Sequence, residues 1–268
     1  MKTVNKVFLV YFTATETTIK VLNSVVEQLD ASVIMEFNVT TGIVGNPESI
    51  TLSENDLLLI GAPVYSGRIP EIAAKQFAKF KGSNTPAITV AVYGNREYDD
   101  ALIELADLVK SNGFKPVAAG AFVAEHCIFP QVATSRPDAA DLAKAEQFGR
   151  DCKALLESVD DIAELSELEI PGNRPYTAAN RPKLHPASNE NCTGCGQCVD
   201  ECPAGAISRE NPRITDFDLC ISCGRCMKIC PNGGRSYSGD MYKMGGAKFA
   251  EANAARKEPV VFMAKKAE

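Results

Sequence analysis

The chain has 268 residues, 45% of them hydrophobic and 23% charged, with a formal net charge of -6 and a pI near 5.2. That length allows one large domain or two ordinary ones, with a sizeable core. An acidic balance without any run of Lys or Arg argues against nucleic acid or an anionic membrane as a partner, since both are held by clustered cations.

The opening run "VFLVYF" follows Lys2 and Lys6, but it is short and lacks a small-residue cleavage site, so it reads as a strand rather than a secretory signal. Apolar runs then alternate with helix-length amphipathic stretches up to about residue 165. Strands are expected at Val7 to Phe12, Val33 to Val39, Leu57 to Gly61, Ala87 to Tyr93 and Pro116 to Val123. Helices fit Thr17 to Leu29, Pro70 to Phe80, Asp99 to Asn112 and Pro137 to Val159. Parallel neighbours need crossover connections, so this alternation implies a doubly wound α/β domain with both faces of a five-stranded parallel sheet covered.

Residues 166–186 break the pattern. Pro171, Pro175, Pro182 and Pro186 punctuate a polar stretch that reads as a stiff, extended linker. Residues 187–236 form a second, small unit, and residues 237–268 a tail with a possible helix around Ala247 to Ala255 and a possible strand at Pro259 to Met263. No stretch is apolar enough to span a bilayer.

The small unit contains "CTGCGQCVDECP" from Cys192 and "CISCGRCMKICP" from Cys220, two repeats 28 residues apart. Each reads Cys-x2-Cys-x2-Cys-x3-Cys-Pro. Three closely spaced thiolates can wrap three irons of a cubane while the fourth reaches the neighbouring cluster. Cys192, Cys195, Cys198 and Cys230 are therefore expected to hold one [4Fe-4S] cluster, and Cys220, Cys223, Cys226 and Cys202 the other. Zinc also takes four thiolates, but its sites generally set two Cys-x2-Cys pairs further apart. Gly194, Gly196 and Gly224 suit loops whose backbone approaches sulfide closely. "AISRENPRIT" reads as a small hairpin between the repeats, with Ile207, Ile214, Ile221 and Ile229 as apolar wrapping. Clustered cysteines without a secretory signal point to a reducing, cytoplasmic setting.

Three loops of the first domain converge at the carboxyl ends of its strands if the order is 2-1-3-4-5. After the first strand, "YFTATETTIKV" sets Thr13, Thr15, Thr17 and Thr18 at a helix start, where orphan N–H groups suit a phosphate, although a Thr-rich turn can also serve as a plain N-cap. "GAPVYSGRIP" and "VYGNREYDDAL" each supply a tyrosine, Tyr65 and Tyr98, able to pack on a flat ring such as a flavin.

With these motifs in hand, residues 1 to about 160 resemble a flavodoxin, Asn189 to Gly234 a bacterial-type two-cluster ferredoxin, and the whole chain the flavodoxin–ferredoxin fusion proteins of anaerobes. The resemblance implies FMN held by Thr13, Ala14, Thr15, Glu16, Thr17 and Thr18 at the phosphate. It places Pro63, Val64, Tyr65, Ser66, Gly67 and Arg68, and Gly94, Asn95, Arg96, Tyr98 and Asp99, around the ring. Family members usually carry Gly where Glu16 stands. A carboxylate there would repel a phosphate if it pointed inward, so Glu16 is expected to face solvent, favoured by the helix dipole.

Smaller features read as structural: His126 and Cys127 as satisfied loop residues, with approach to a flavin edge as the alternative, Cys152 as a buried thiol, His185 as incidental, and Asp99 and Asp100 as a first helical turn. The expected function is electron transfer between two [4Fe-4S] clusters and FMN, with ferredoxin-like carriers or oxidoreductases as partners and a homodimer as one possible assembly. The alternative is an FMN-dependent reductase of a small substrate fed through the clusters, and a third is a regulatory module. No GxGxxG fingerprint supports a direct dinucleotide donor.

Overall fold

The computed structural model describes residues 4, 6–180 and 184–266. Strands β1 (Lys6–Tyr11), β2 (Val33–Asn38), β3 (Asp56–Pro63), β4 (Thr85–Tyr93) and β5 (Phe114–Val123) lie parallel in the order β2-β1-β3-β4-β5. This is the flavodoxin-like 2-1-3-4-5 order, whose switch point lies between β1 and β3. Helices α1 (Thr17–Val26), α2 (Glu71–Phe77), α3 (Ala101–Ser111) and α4 (Ala139–Glu157) make the crossovers.

The sequence of β1 shows why both faces are covered. Val7, Leu9 and Tyr11 pack with Val21, Leu22 and Val25 of α1 and Phe148 and Cys152 of α4. Phe8, Val10 and Phe12 enter a second core with Ala73 and Phe77 of α2 and Ala101 and Leu105 of α3. A strand buried on both sides has no polar side to show, which accounts for its unbroken apolar run. Edge strand β2 departs from that expectation, with Val33, Ile34 and Met35 exposed by 44%, 47% and 40%.

The cysteine unit carries only short elements: α5 (Gln197–Asp200), α6 (Arg225–Lys228) and a pairing of Ala187–Ser188 with Arg235–Ser236. The segment between the repeats does turn back on itself, with Ile207 bridged to Thr215. Its apolar wrapping is only partly as expected. Ile207 is buried, whereas Ile214 is 57% exposed because it sits on the outer side of that turn.

The tail helix α7 (Asp240–Ala252) starts earlier than the sequence pattern suggests, and β6 (Val260–Met263) extends the main sheet by pairing antiparallel with β5. Tyr242 and Phe249 of α7 stack with Phe129 of the first domain, and Phe249 also meets His126. Among the described residues no helix is long and apolar enough to cross a membrane.

The expected linker is not free-standing. Residues 168–180 run as a strap along α3, and the Asp100 carboxylate accepts from Asn173 N (2.8 Å), Asn173 Nδ2 (3.1 Å) and Thr177 N (2.7 Å). Asp107 accepts from Arg174 Nε and Nη2 and from the Tyr176 hydroxyl. Asp100 is therefore more than a helix-turn residue: it is buried, and these bonds, first that from Thr177, lower its carboxyl to about 2. Pro182 of the expected linker lies outside the described residues.

A carboxyl with a depressed folded pKa stabilises the fold fully above its unfolded value and loses that contribution as pH falls toward the folded one. Asp100→Ala should cost on the order of 2 kcal/mol at neutral pH and release amide-exchange protection at Asn173 and Thr177. The difference between variant and parent should shrink as pH falls from about 4 to 2. Unchanged exchange at both amides would show that the strap is held by other means.

Candidate functional site

The eight cysteines form two rings. Cys192, Cys195, Cys198 and Cys230 line one cavity, and Cys202, Cys220, Cys223 and Cys226 line another. Each ring thus takes three members from one repeat and the fourth from the other. The fourth cysteines occupy matching turns: Ala206 N lies 3.3 Å from Cys202 Sγ, and Gly234 N 3.1 Å from Cys230 Sγ.

The local backbone follows the 28-residue repeat. Positive φ recurs at Gly194 and Ser222, at Gly196 and Gly224, and at Gly205 and Gly233. Ser222 takes the left-handed conformation without being glycine and is held there by its hydroxyl, which donates to Leu184 O (2.6 Å) and lies 3.2 Å from His185 Nδ1. His185 is thereby a support of the second ring rather than incidental. The signal for Ser222 was its alignment with Gly194.

Burial pushes the Cys198, Cys220 and Cys223 thiols up and that of Cys226 to about 11, while nearby Arg235 opposes the rise at Cys198, Cys220 and Cys226. Thiolates so enclosed need positive charge beside them. Ile207 and Ile221 line the second ring, but Ile214 and Ile229 line neither.

The two rings differ in exposure. Cys195 is exposed, whereas Cys223 is buried and packs into the core formed by β1, α2 and α3. The second ring therefore seats on the carboxyl ends of the parallel strands. A Cβ built on Gly224 would lie 3.3 Å from Cys127 O and 3.6 Å from Thr15 Cγ2. Burial pushes up the Tyr65 hydroxyl, with Cys127, Cys223 and Tyr237 as further contributors. The Tyr237 hydroxyl donates to Ser222 O at 2.8 Å.

The Thr-rich loop begins α1 as expected. Thr15 and Thr17 hydroxyls lie 3.3 Å apart, and the buried Thr13 Oγ1 has no partner. Glu16 has φ 67° at the position where a glycine was expected. Its carboxylate does not simply face solvent: it lies 3.7 Å from Arg225 Nη1 and 3.4 Å from Lys228 Nζ, both on α6. Arg225 also pairs with Glu201 at 2.6 Å and reaches Ala14 O at 3.5 Å.

The loops assigned to a ring do not gather around one open slot. Tyr65 and Arg68 close a tight turn through Ser66 and Gly67, both with positive φ, and Asp99 lies against Gly67. Ser66 Oγ donates to Asn180 O at 2.5 Å, and Arg68 forms a fork with Glu104 and packs on Tyr176 at 4.6 Å. Gly94 lies under His126. Asn95 donates to Asn253 O and Ala255 O and accepts from Lys257 N, so its amide serves the tail. Arg96 pairs with Asp99. Tyr98 packs edge-on against Tyr93 at 5.7 Å, in a different cluster from Tyr65. Strap and tail supply these partners from far along the chain, which a local reading of the loops does not reveal. Pro63 ends β3, and Val64 N donates to Val92 O.

His126 is satisfied, with Nδ1 accepting from Ile128 N and Phe129 N, and burial lowers it to about 4. Burial raises Cys127 to about 12, with Sγ 3.8 Å from Ser222 O. Cys152 is buried in the first core.

Residues 191–235 match the family of 4Fe-4S dicluster domains. A 27-residue stretch is 63% identical to a probable ferredoxin of Methanosarcina thermophila, covering 10% of this chain and 47% of that protein, so the match spans about half of its length. Among solved structures, the flavodoxin of Fusobacterium nucleatum bound to flavin mononucleotide aligns over 56% of this chain and 97% of that one, at 15% identity and TM-score 0.39. Rubredoxin oxygen:oxidoreductase of Desulfovibrio gigas aligns over 57% of this chain and 36% of that one, at 15% identity and TM-score 0.40. The chain joins a flavodoxin-type sheet, defined by its strand order, to a ferredoxin-type 4Fe-4S unit.

Gly224 and Gly196 hold equivalent left-handed positions, but a Cβ on Gly196 would meet nothing within 4 Å. Gly196→Ala and Gly224→Ala should each lose about 1–2 kcal/mol from the backbone. Only Gly224→Ala should also raise hydrogen exchange in the amides of residues 126–129, because only there does the new methyl press on the first domain, at Cys127 O. Equal exchange in the two variants would deny that this contact docks the halves.

Proposed function

We propose that the chain is an electron-transfer iron–sulfur flavoprotein with two [4Fe-4S] clusters and FMN, exchanging electrons with ferredoxin-like carriers or oxidoreductases in a reducing cytoplasm. The carrying observation is the pair of crossed four-cysteine rings. In this reading Cys192, Cys195, Cys198 and Cys230 ligate one cluster, and Cys220, Cys223, Cys226 and Cys202 the other.

The placement of the rings favours a direction. The outward ring, with exposed Cys195, offers access to a partner, and the inward ring, with buried Cys223, abuts the switch point. FMN, when bound, exchanges one or two electrons where each cluster exchanges one.

The residues suit FMN at its phosphate end, where the unpartnered Thr13 hydroxyl, Thr15, Thr17 and Thr18 meet the start of α1. At the ring end the fit is close. Gly224 lies against Thr15 and Cys127, and Tyr65 stands half-buried beside Cys127, so a ring entering there displaces the Gly224 loop. FMN content is accordingly the quantity on which the flavin part turns.

One observation favours the reductase reading as a second possibility. A groove of about 510 Å³, lined mainly by apolar atoms, runs between Tyr65, Arg68, Ile72 and Lys75 on one side and Cys220 and Ile221 on the other. Its size is that of small-molecule sites. Turnover of a small oxidised substrate by the purified protein would favour it over pure carriage.

Anaerobically purified protein should contain iron near eight per chain and release about one FMN per chain on denaturation. Eight irons without flavin after reconstitution would keep the clusters and reject the flavin. Stoichiometric zinc in place of iron would reject the clusters.

A further inference from the structure

Arg235 belongs to both rings at once, for it lines the cavity of Cys192, Cys195, Cys198 and Cys230 and that of Cys202, Cys220, Cys223 and Cys226. It is only 3% exposed. Other enclosed arginines have carboxylates: Arg136 has Asp141, Arg68 has Glu104 and Arg225 has Glu201. Arg235 forms no such ion pair among the described residues. Its Nη1 donates to Pro212 O at 3.0 Å, its Nη2 to Pro186 O at 3.2 Å and Thr215 Oγ1 at 2.5 Å, and its Nε is buried without a partner.

A guanidinium removed from water without a counter-ion is strongly disfavoured. Here the groups that remain to balance it are the cysteines. Among the described residues it is the one that lines both cavities. Its place is fixed by the short pairing of Arg235–Ser236 with Ala187–Ser188, and its orientation by the two carbonyls and the threonine hydroxyl. The planar fork meets three acceptors that a lysine ammonium would not match together.

We propose that Arg235 is the shared counter-charge of the two cysteine rings, raising the reduction potentials of both bound clusters together. This rests on the reading that the rings hold [4Fe-4S] clusters. Each cluster gains one negative charge when it takes one electron, supplied in a titration by dithionite. A fixed buried cation beside it stabilises the more negative form, strongly so away from water. One residue placed between the rings should act on both.

The test is a redox titration of the holoprotein, followed by the EPR signals of the two reduced clusters, in the parent, Arg235→Gln and Arg235→Lys. At the potential where the parent clusters are half reduced, fewer than about one tenth of the Gln variant's clusters should be reduced. Both midpoints should move to more negative values. Unchanged midpoints, or movement of one alone, would overturn the proposal. If Arg235→Gln fails to assemble clusters while Arg235→Lys assembles them, positive charge is what the site requires, and the proposal stands. If neither assembles, the guanidinium acts through shape rather than charge, and the proposal falls. A parent without iron would reject the cluster reading itself, a distinct outcome.

Discussion

Neither cysteine ring can close within its own repeat, because each completes its four members with a cysteine of the other. That crossing does for the small unit what a hydrophobic core does for a larger one. With only short helices and a two-residue strand pair, the unit has little apolar surface to bury, and bound metal would convert binding energy into folding energy. The left-handed residues at matching positions of the two repeats, Gly196 and Gly224 among them, let the chain turn tightly enough to present three thiolates inward. Arg235 answers to the same constraint, since it lines both rings and forms no ion pair with a carboxylate among the described residues.

The crossing also determines how the halves meet. It fixes the second cysteine loop as a rigid projection, and that loop lies over the carboxyl ends of the parallel strands, where α/β sheets place their ligands. Close packing of Gly224 on Thr15 and Cys127 sets the approach. Ion pairs of Glu16 with Arg225 and Lys228 add orientation more than energy, being half exposed. The strap bound to Asp100 and the tail bound to Asn95 then tie both flanks of the cysteine unit to the sheet. The second ring is thereby held against the crevice within one chain.

Much of this was legible in the sequence because its causes are local. The unbroken apolar run of β1 announces a strand buried on both faces, and the spacing of the eight cysteines, with Pro after each fourth, announces the crossed rings. What escaped depends on partners distant in the chain. Nothing near Asp100 reveals that Asn173 and Thr177 will donate to it, and nothing near Asn95 reveals the carbonyls of Asn253 and Ala255. Glu16 was expected to face solvent because a carboxylate turned inward would repel a phosphate, and the start of its own helix favours it there. Its neighbours on α6 come from the other half of the molecule. The exposure of β2 is a matter of position at the sheet edge, which composition alone does not disclose.

The crossing itself is open to direct measurement by iron content and EPR after Cys192, Cys195 and Cys198 have all been replaced by serine. Crossed ligation predicts that the remaining four-iron cluster survives a further Cys230→Ala change but is lost or degraded by Cys202→Ala. Survival after Cys202→Ala together with loss after Cys230→Ala would show that each repeat closes on itself, and would contradict the arrangement on which the rest of the structure depends.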